Sequence, residues 1–146
     1  MTDRTEPKVD AGVLLLRLGA GLSMALLFGI PKLKDAWLYV HAGHSWPFID
    51  FNRRLGVPMP VLVAYVQSIN ESIGALLVAC GLLTRWAAAL LFIGFAAATG
   101  YSFKAHESVL LPGLYCLMFA TIALTGPGKL SLDRLLSGRT AKSQTR

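Results

Sequence analysis

Four stretches of this chain are apolar on every side, and its charged residues collect in the short segments between them. The first runs from Ala11 to Ile30 with Arg17 as its only charge; as a helix it extends about 30 Å, the thickness of a bilayer's hydrocarbon core. The second, Val61 to Leu83, holds Glu71 as its single charge, whereas the third, Trp86 to Phe103, and the fourth, Ser108 to Thr125, carry none. A soluble helix shows one apolar stripe, and a chain of 146 residues has no core large enough to bury helices that are apolar all round. The pattern predicts an all-α integral membrane protein with helices at approximately 11–30, 61–83, 86–103 and 108–125. Thr84-Arg85 and Lys104 to Glu107 are too short to cross a bundle, so the helices they join are antiparallel and the architecture reads as an up-down four-helix bundle. One domain covers residues 1–137, and the basic tail 138–146 is expected to be disordered.

Between the first two helices, Pro31 to Pro60 contains Trp37, Tyr39, Trp46, Phe48 and Phe51. Aromatic residues concentrate at membrane interfaces, so this segment reads as a long interfacial loop that caps the bundle. Pro112 falls in the first turn of the fourth helix, where a missing N–H is tolerated, and Gly126-Pro127-Gly128 ends that helix. Ser131 is placed to N-cap a short interfacial helix through Leu132, Leu135 and Leu136. Gly21, Ala25 and Gly29 recur every four residues, a small-sided stripe suited to packing within the bundle or, second, against another copy in a homo-oligomer. Asp3, Glu6 and Asp10 dilute the basic region a signal peptide needs, so the first helix reads as a retained span.

Composition narrows the solvent and the partners. Charged residues make up 15%, against about 25% in soluble domains, and the mean hydropathy is +0.55. Fourteen Lys and Arg against eight Asp and Glu give a net charge of +6, but the bases sit in turns and at the tail, which suits lipid headgroups rather than nucleic acid. One side carries Arg4, Lys8, Arg85, Lys129, Arg134, Arg139, Lys142 and Arg146, and the other Lys32, Lys34, Arg53, Arg54 and Lys104. Eight against five places both termini in the cytoplasm. Cys80 and Cys116 lie at different depths on helices of the same direction, so they read as small apolar residues and not as a disulfide.

The runs GVLLLRLGAGLSMALLFGIPKL at 12–33, NESIGALLVACGLLTRWAAALL at 70–91 and GPGKLSLDRLL at 126–136 resemble the DoxX family of small four-helix membrane proteins. The resemblance rests on Arg17 with Gly29 and Lys32, on Glu71 with Gly74, Gly81 and Thr84-Arg85, and on Gly126-Pro127-Gly128 with Asp133, in that order. It implies a cytoplasmic (inner) membrane protein with relatives tied to quinone-linked oxidation, among them a DoxD-type subunit associated with thiosulfate oxidation. The chain departs from the family by its long outer connection with two histidines.

Gln67, Asn70, Glu71 and Gly74 stand at i, i+3, i+4 and i+7, so they share one face of the second helix, which must meet protein or water. A lone carboxylate in hydrocarbon is costly, so Glu71 must pair with a cation or take up a proton. Two roles follow: a catalytic proton-exchanging group flanked by Gln67 and Asn70 as cofactor-binding residues for a quinone, or one half of a structural ion pair. Lys32 and Arg17 each lie about 10 Å from Glu71 in depth. Helical side chains lean toward their own N-terminus, which brings Lys32 down and Glu71 up and favours Lys32, while Arg17 leans toward the cytoplasm.

His41 and His44 form an H-x-x-H pair that would need Asp50 or Glu107 to complete a metal site, but Gly43 between them weakens a helix, and no metal is expected. Glu107 suits the first turn of the fourth helix through the helix dipole. The chain holds no dinucleotide fingerprint, haem-attachment motif or Fe–S ligand set, which argues against autonomous catalysis. Three functions stay open: the membrane component of a quinone-linked redox complex, a non-catalytic scaffold for soluble redox enzymes, and, last, a small transporter.

Overall fold

A computed structural model describes residues 6–136; the tail expected to be disordered lies outside the described residues. Helix α1 (Glu6–Met24) passes through a π turn (Ala25–Gly29) into α2 (Ile30–Ala42), so that Lys8–Ala42 forms one helical rod of 35 residues. After the short α3 (Pro47–Arg54), a second rod comprises α4 (Pro60–Ile69), a π turn (Asn70–Gly74) and α5 (Ala75–Cys80). Two further helices follow, α6 (Thr84–Lys104) and α7 (Leu110–Thr125), then a helical turn at 132–136. The fold is all-helical. Three helical stretches, Lys8–Ala42, Pro60–Cys80 and Thr84–Lys104, are long and apolar enough to cross a membrane; α7 is apolar but shorter.

The segment expected to be an interfacial loop is mostly helix. Pro31 marks a helix end in sequence because its ring lacks an N–H and crowds the carbonyl four residues back. Here the Ile30 N–H bonds to the Ala25 carbonyl, five residues back, and this widened turn admits the proline without breaking the rod. Gly43 then stops α2 in the left-handed conformation (φ 64°). Trp37 and Tyr39 stay exposed, but Trp46 folds inward: it is only 2% exposed, its ring meets Tyr65 edge-on at 5.0 Å, and it lies with Ala36, Ile49 and Ala64 in a second, small core.

The main core joins both rods to α6 and α7 through Ala20, Met24, Ala25, Ala75, Val78, Leu91, Phe95, Phe119 and Ile122. Large apolar side chains such as Leu15, Leu27, Trp86, Ile93, Leu117 and Leu124 are exposed outside it, the reverse of a soluble surface and the arrangement lipid requires. The Gly21–Ala25–Gly29 stripe is used internally. A Cβ on Gly21 would meet the Ala75 carbonyl oxygen at 2.6 Å, and one on Gly29 would lie 2.5 Å from the Glu71 carbonyl oxygen and 2.7 Å from Ser72 Cα. The two π turns therefore touch backbone to backbone. Gly29→Ala is expected to cost about 1–3 kcal/mol, the usual range for overpacking against atoms that cannot swing away. Gly100, with nothing within 4 Å, is the control, and thermal melts of both alanine variants in detergent check the difference.

Candidate functional site

The close approach of the rods sets up the polar site. Gly29 and Lys32 share a face of the first rod, so pressing Gly29 onto the Glu71 backbone also brings the Lys32 side chain to the Glu71 carboxylate. Lys32 Nζ donates to Glu71 Oε2 at 2.5 Å, and Gln67 Nε2 donates to Oε1 at 3.0 Å. Glu71 is 2% exposed and the Lys32 side chain 22%. The Lys32 ammonium also lies 4.0 Å from the centre of the Phe48 ring, a cation–π contact that ties α3 to the pair.

This pair forms the polar end of a cavity of about 240 Å³. Phe28 of the first π turn, Phe48 and Phe51 of α3 with Leu55 at its C-cap, Phe95 of α6 and Tyr115 of α7 supply apolar and aromatic wall. Gly94, Ala97 and Ala98 also line it, so part of the small-residue run on α6 makes space instead of closing it. The Tyr115 hydroxyl is 3.0 Å from Ser23 Oγ, which anchors that ring.

Of the residues singled out in sequence, Glu71, Gln67 and Lys32 line the cavity. Asn70 does not: its Nδ2 donates to the Leu90 carbonyl at 3.1 Å, so it serves the contact with α6. The reason is local, since the turn opens into the π geometry at Asn70 and no longer stacks all four stripe residues on one line. Arg17 is not brought to Glu71 either. It is 1% exposed and points the other way along the rod, donating from Nη1 to the Pro127 carbonyl and from Nη2 to the Leu130 carbonyl, both at 2.6 Å. Two short bonds to carbonyls freed beyond the end of α7 hold it there.

Two residues carry roles that sequence reasoning did not assign. Asn52, only 5% exposed, lines the cavity from α3, and its Nδ2 has no hydrogen-bond partner. A signal existed: Phe48, Phe51, Asn52 and Leu55 stand at i, i+3, i+4 and i+7, an amphipathic helix face. The second is Asp133, which takes the Leu83 N–H at 2.7 Å and both the N–H and hydroxyl of Thr84 at 3.0 Å, so it caps α6 from a distant part of the chain. Burial alone would raise the Asp133 carboxyl; the N–H groups of Thr84 and Leu83, the Thr84 hydroxyl and the Arg17 charge outweigh it and hold it below the ordinary carboxylate range. Ser131 accepts from the Arg134 N–H at 3.3 Å and so caps the turn at 132–136. Lys129 N and Nζ meet Asp10 at 3.0 and 3.6 Å, fastening the same segment to α1.

His41 stacks on Trp37 with centroids 4.7 Å apart, and its Nδ1 lies 3.0 Å from the Trp37 carbonyl. Among the described residues no three His, Cys, Asp or Glu side chains come together as a metal site. Cys80 and Cys116 are free.

Apolar rods with outward leucines, a buried ion pair and an internal cavity define a multi-pass helical membrane protein. The chain belongs to the DoxX family, which matches residues 12–107. It is 28% identical over 138 residues to the inner membrane protein YphA of Escherichia coli (strain K12), an alignment covering 84% of this chain and 89% of that one. Together the spans and this relative make it an inner-membrane protein. No solved structure matches it.

Proposed function

We propose that the protein is the membrane component of a quinone-linked redox complex, crossing the membrane as an up-down four-helix bundle with both termini in the cytoplasm. Supporting that topology, α7 is apolar over 16 residues, about 24 Å of helix, and packs along α6, while basic residues outnumber those of the other side by eight to five.

One observation carries the functional reading: a cavity walled by aromatic side chains ends at a buried carboxylate. Its 240 Å³ is below the about 300–1,000 Å³ of whole-ligand pockets, so it suits a ring-sized head group whose apolar tail extends into lipid. The unpartnered Asn52 Nδ2 fits a ligand with an acceptor oxygen. A bound quinone supplies two-electron, two-proton chemistry. Lys32 and Gln67 each hold one oxygen of the Glu71 carboxylate, so Glu71 is the group positioned to take and return a proton, and the phenylalanines keep water away from it. A soluble redox partner is then needed for electron delivery.

Quinone reduction is measured in membranes carrying the wild type, Glu71→Gln and a full deletion at matched protein levels. The proposed reading expects loss in both altered strains. Loss on deletion alone identifies a scaffold for redox enzymes, and equal rates in all three dispose of the redox role.

A further inference from the structure

The charged groups at the Glu71 end of the cavity are already engaged. Glu71 accepts from Lys32 and Gln67, and the Lys32 and Glu71 charges cancel. A charged ligand finds no free counter-charge there, and burying one in an aromatic cavity is costly. In the part of the lining that α3 supplies, by contrast, Asn52 leaves a buried amide donor unpaired at 5% exposure, a state that costs about 1–3 kcal/mol unless something offsets it. Nothing in α3 requires an asparagine at this position: the helix begins with Pro47, has Asp50 in its first turn, and would form equally with leucine. Flat apolar surface is offered by Phe48 and Phe51, which stack at 16° with centroids 6.3 Å apart.

We propose that Asn52 is the hydrogen-bonding residue that selects the ligand of this cavity, and that the ligand is a neutral molecule with a flat apolar body and a carbonyl oxygen. The inference rests on the cavity being the ligand site of the proposed function, but it does not require redox chemistry. Ligand specificity then resides on α3, the short outer helix, while the proton-handling carboxylate resides on the second rod.

The test pairs binding with stability in detergent-purified full-length protein. Two probes are used: a ubiquinone with a single isoprenoid unit, and benzophenone, a neutral aryl ketone without quinone redox chemistry. Asn52→Leu is nearly the same size and removes the amide. Its melting temperature is expected to rise without ligand, because an unpaired buried donor is gone, while its affinity for both probes falls about tenfold, the worth of one well-made hydrogen bond. Asn52→Asp, which adds a charge where a neutral ligand binds, is expected to weaken binding at least as much. A lower melting temperature with unchanged affinity in Asn52→Leu shows a structural asparagine and overturns the proposal. Asn52-dependent binding of benzophenone without binding of the ubiquinone sustains the carbonyl selection and removes the quinone reading. Failure of the wild type to bind either probe overturns both.

Discussion

Replacing Lys32 by Met is expected to destabilise the protein by about 3 kcal/mol, and replacing Glu71 by Leu in the same chain is expected to return much of that loss. The single substitution leaves a carboxylate at 2% exposure with only the Gln67 amide as its partner. The double substitution leaves no charge to desolvate. Because the Lys32 side chain keeps about one fifth of its surface, the effect belongs at the low end of the range for buried pairs, about 3–5 kcal/mol. Removal of Lys32 also frees Phe48 from its cation contact, so α3 should loosen along with the pair. Thermal melts of the wild type, both single variants and the double variant measure the coupling. Strictly additive shifts would show that the short distance carries no energetic interaction.

At the other end of the rods, Asp133→Ala is expected to cost about 2–3 kcal/mol, since it removes three hydrogen bonds to an ionised acceptor and the cap of α6 together. The same residue sets an acid limit. Its folded carboxyl titrates below its unfolded value of about 3.9, so the folded state holds fewer protons in that range. Its stabilisation is complete above about pH 4 and is lost as the pH falls through the folded value. Melting curves taken from pH 6 downward should show a steeper acid loss in the wild type than in Asp133→Asn. Parallel acid limbs would assign the loss to other carboxylates.

The spans were legible because lipid demands apolar residues on all sides, a pattern no soluble fold of this size imitates. Glu71 was legible for the same reason, as a charge where charges are costly, and the lean of helical side chains pointed to Lys32. What escaped was tertiary. Pro31 reads as an end in any one-dimensional scan, and only the five-residue reach of Ile30 shows how the helix continues through it. Asn52 was hidden because the aromatic residues around it resembled an interfacial belt, although their spacing of three and four is that of a packed helix. Asn70 shares the stripe with Glu71 in sequence, but its amide bonds to the Leu90 carbonyl of the neighbouring helix. Asp133 caps a helix that begins 49 positions earlier, a distance over which local pattern carries no information.

The paired π turns have a consequence for how this chain tolerates change in length. Each α-helical residue advances the helix by about 100°, so a single deletion within residues 25–29 would act as a phase error, swinging everything beyond it about a quarter of the way around the axis. Arg17 and its fastening to the residues beyond α7 would be untouched, but Lys32 would be carried off its bearing toward Glu71 and Pro31 would return to an ordinary turn that has no place for it. The wide turns thus work as a clocking device: they let the two halves of one rod be aimed independently, α1 at α5 and α2 at the cavity.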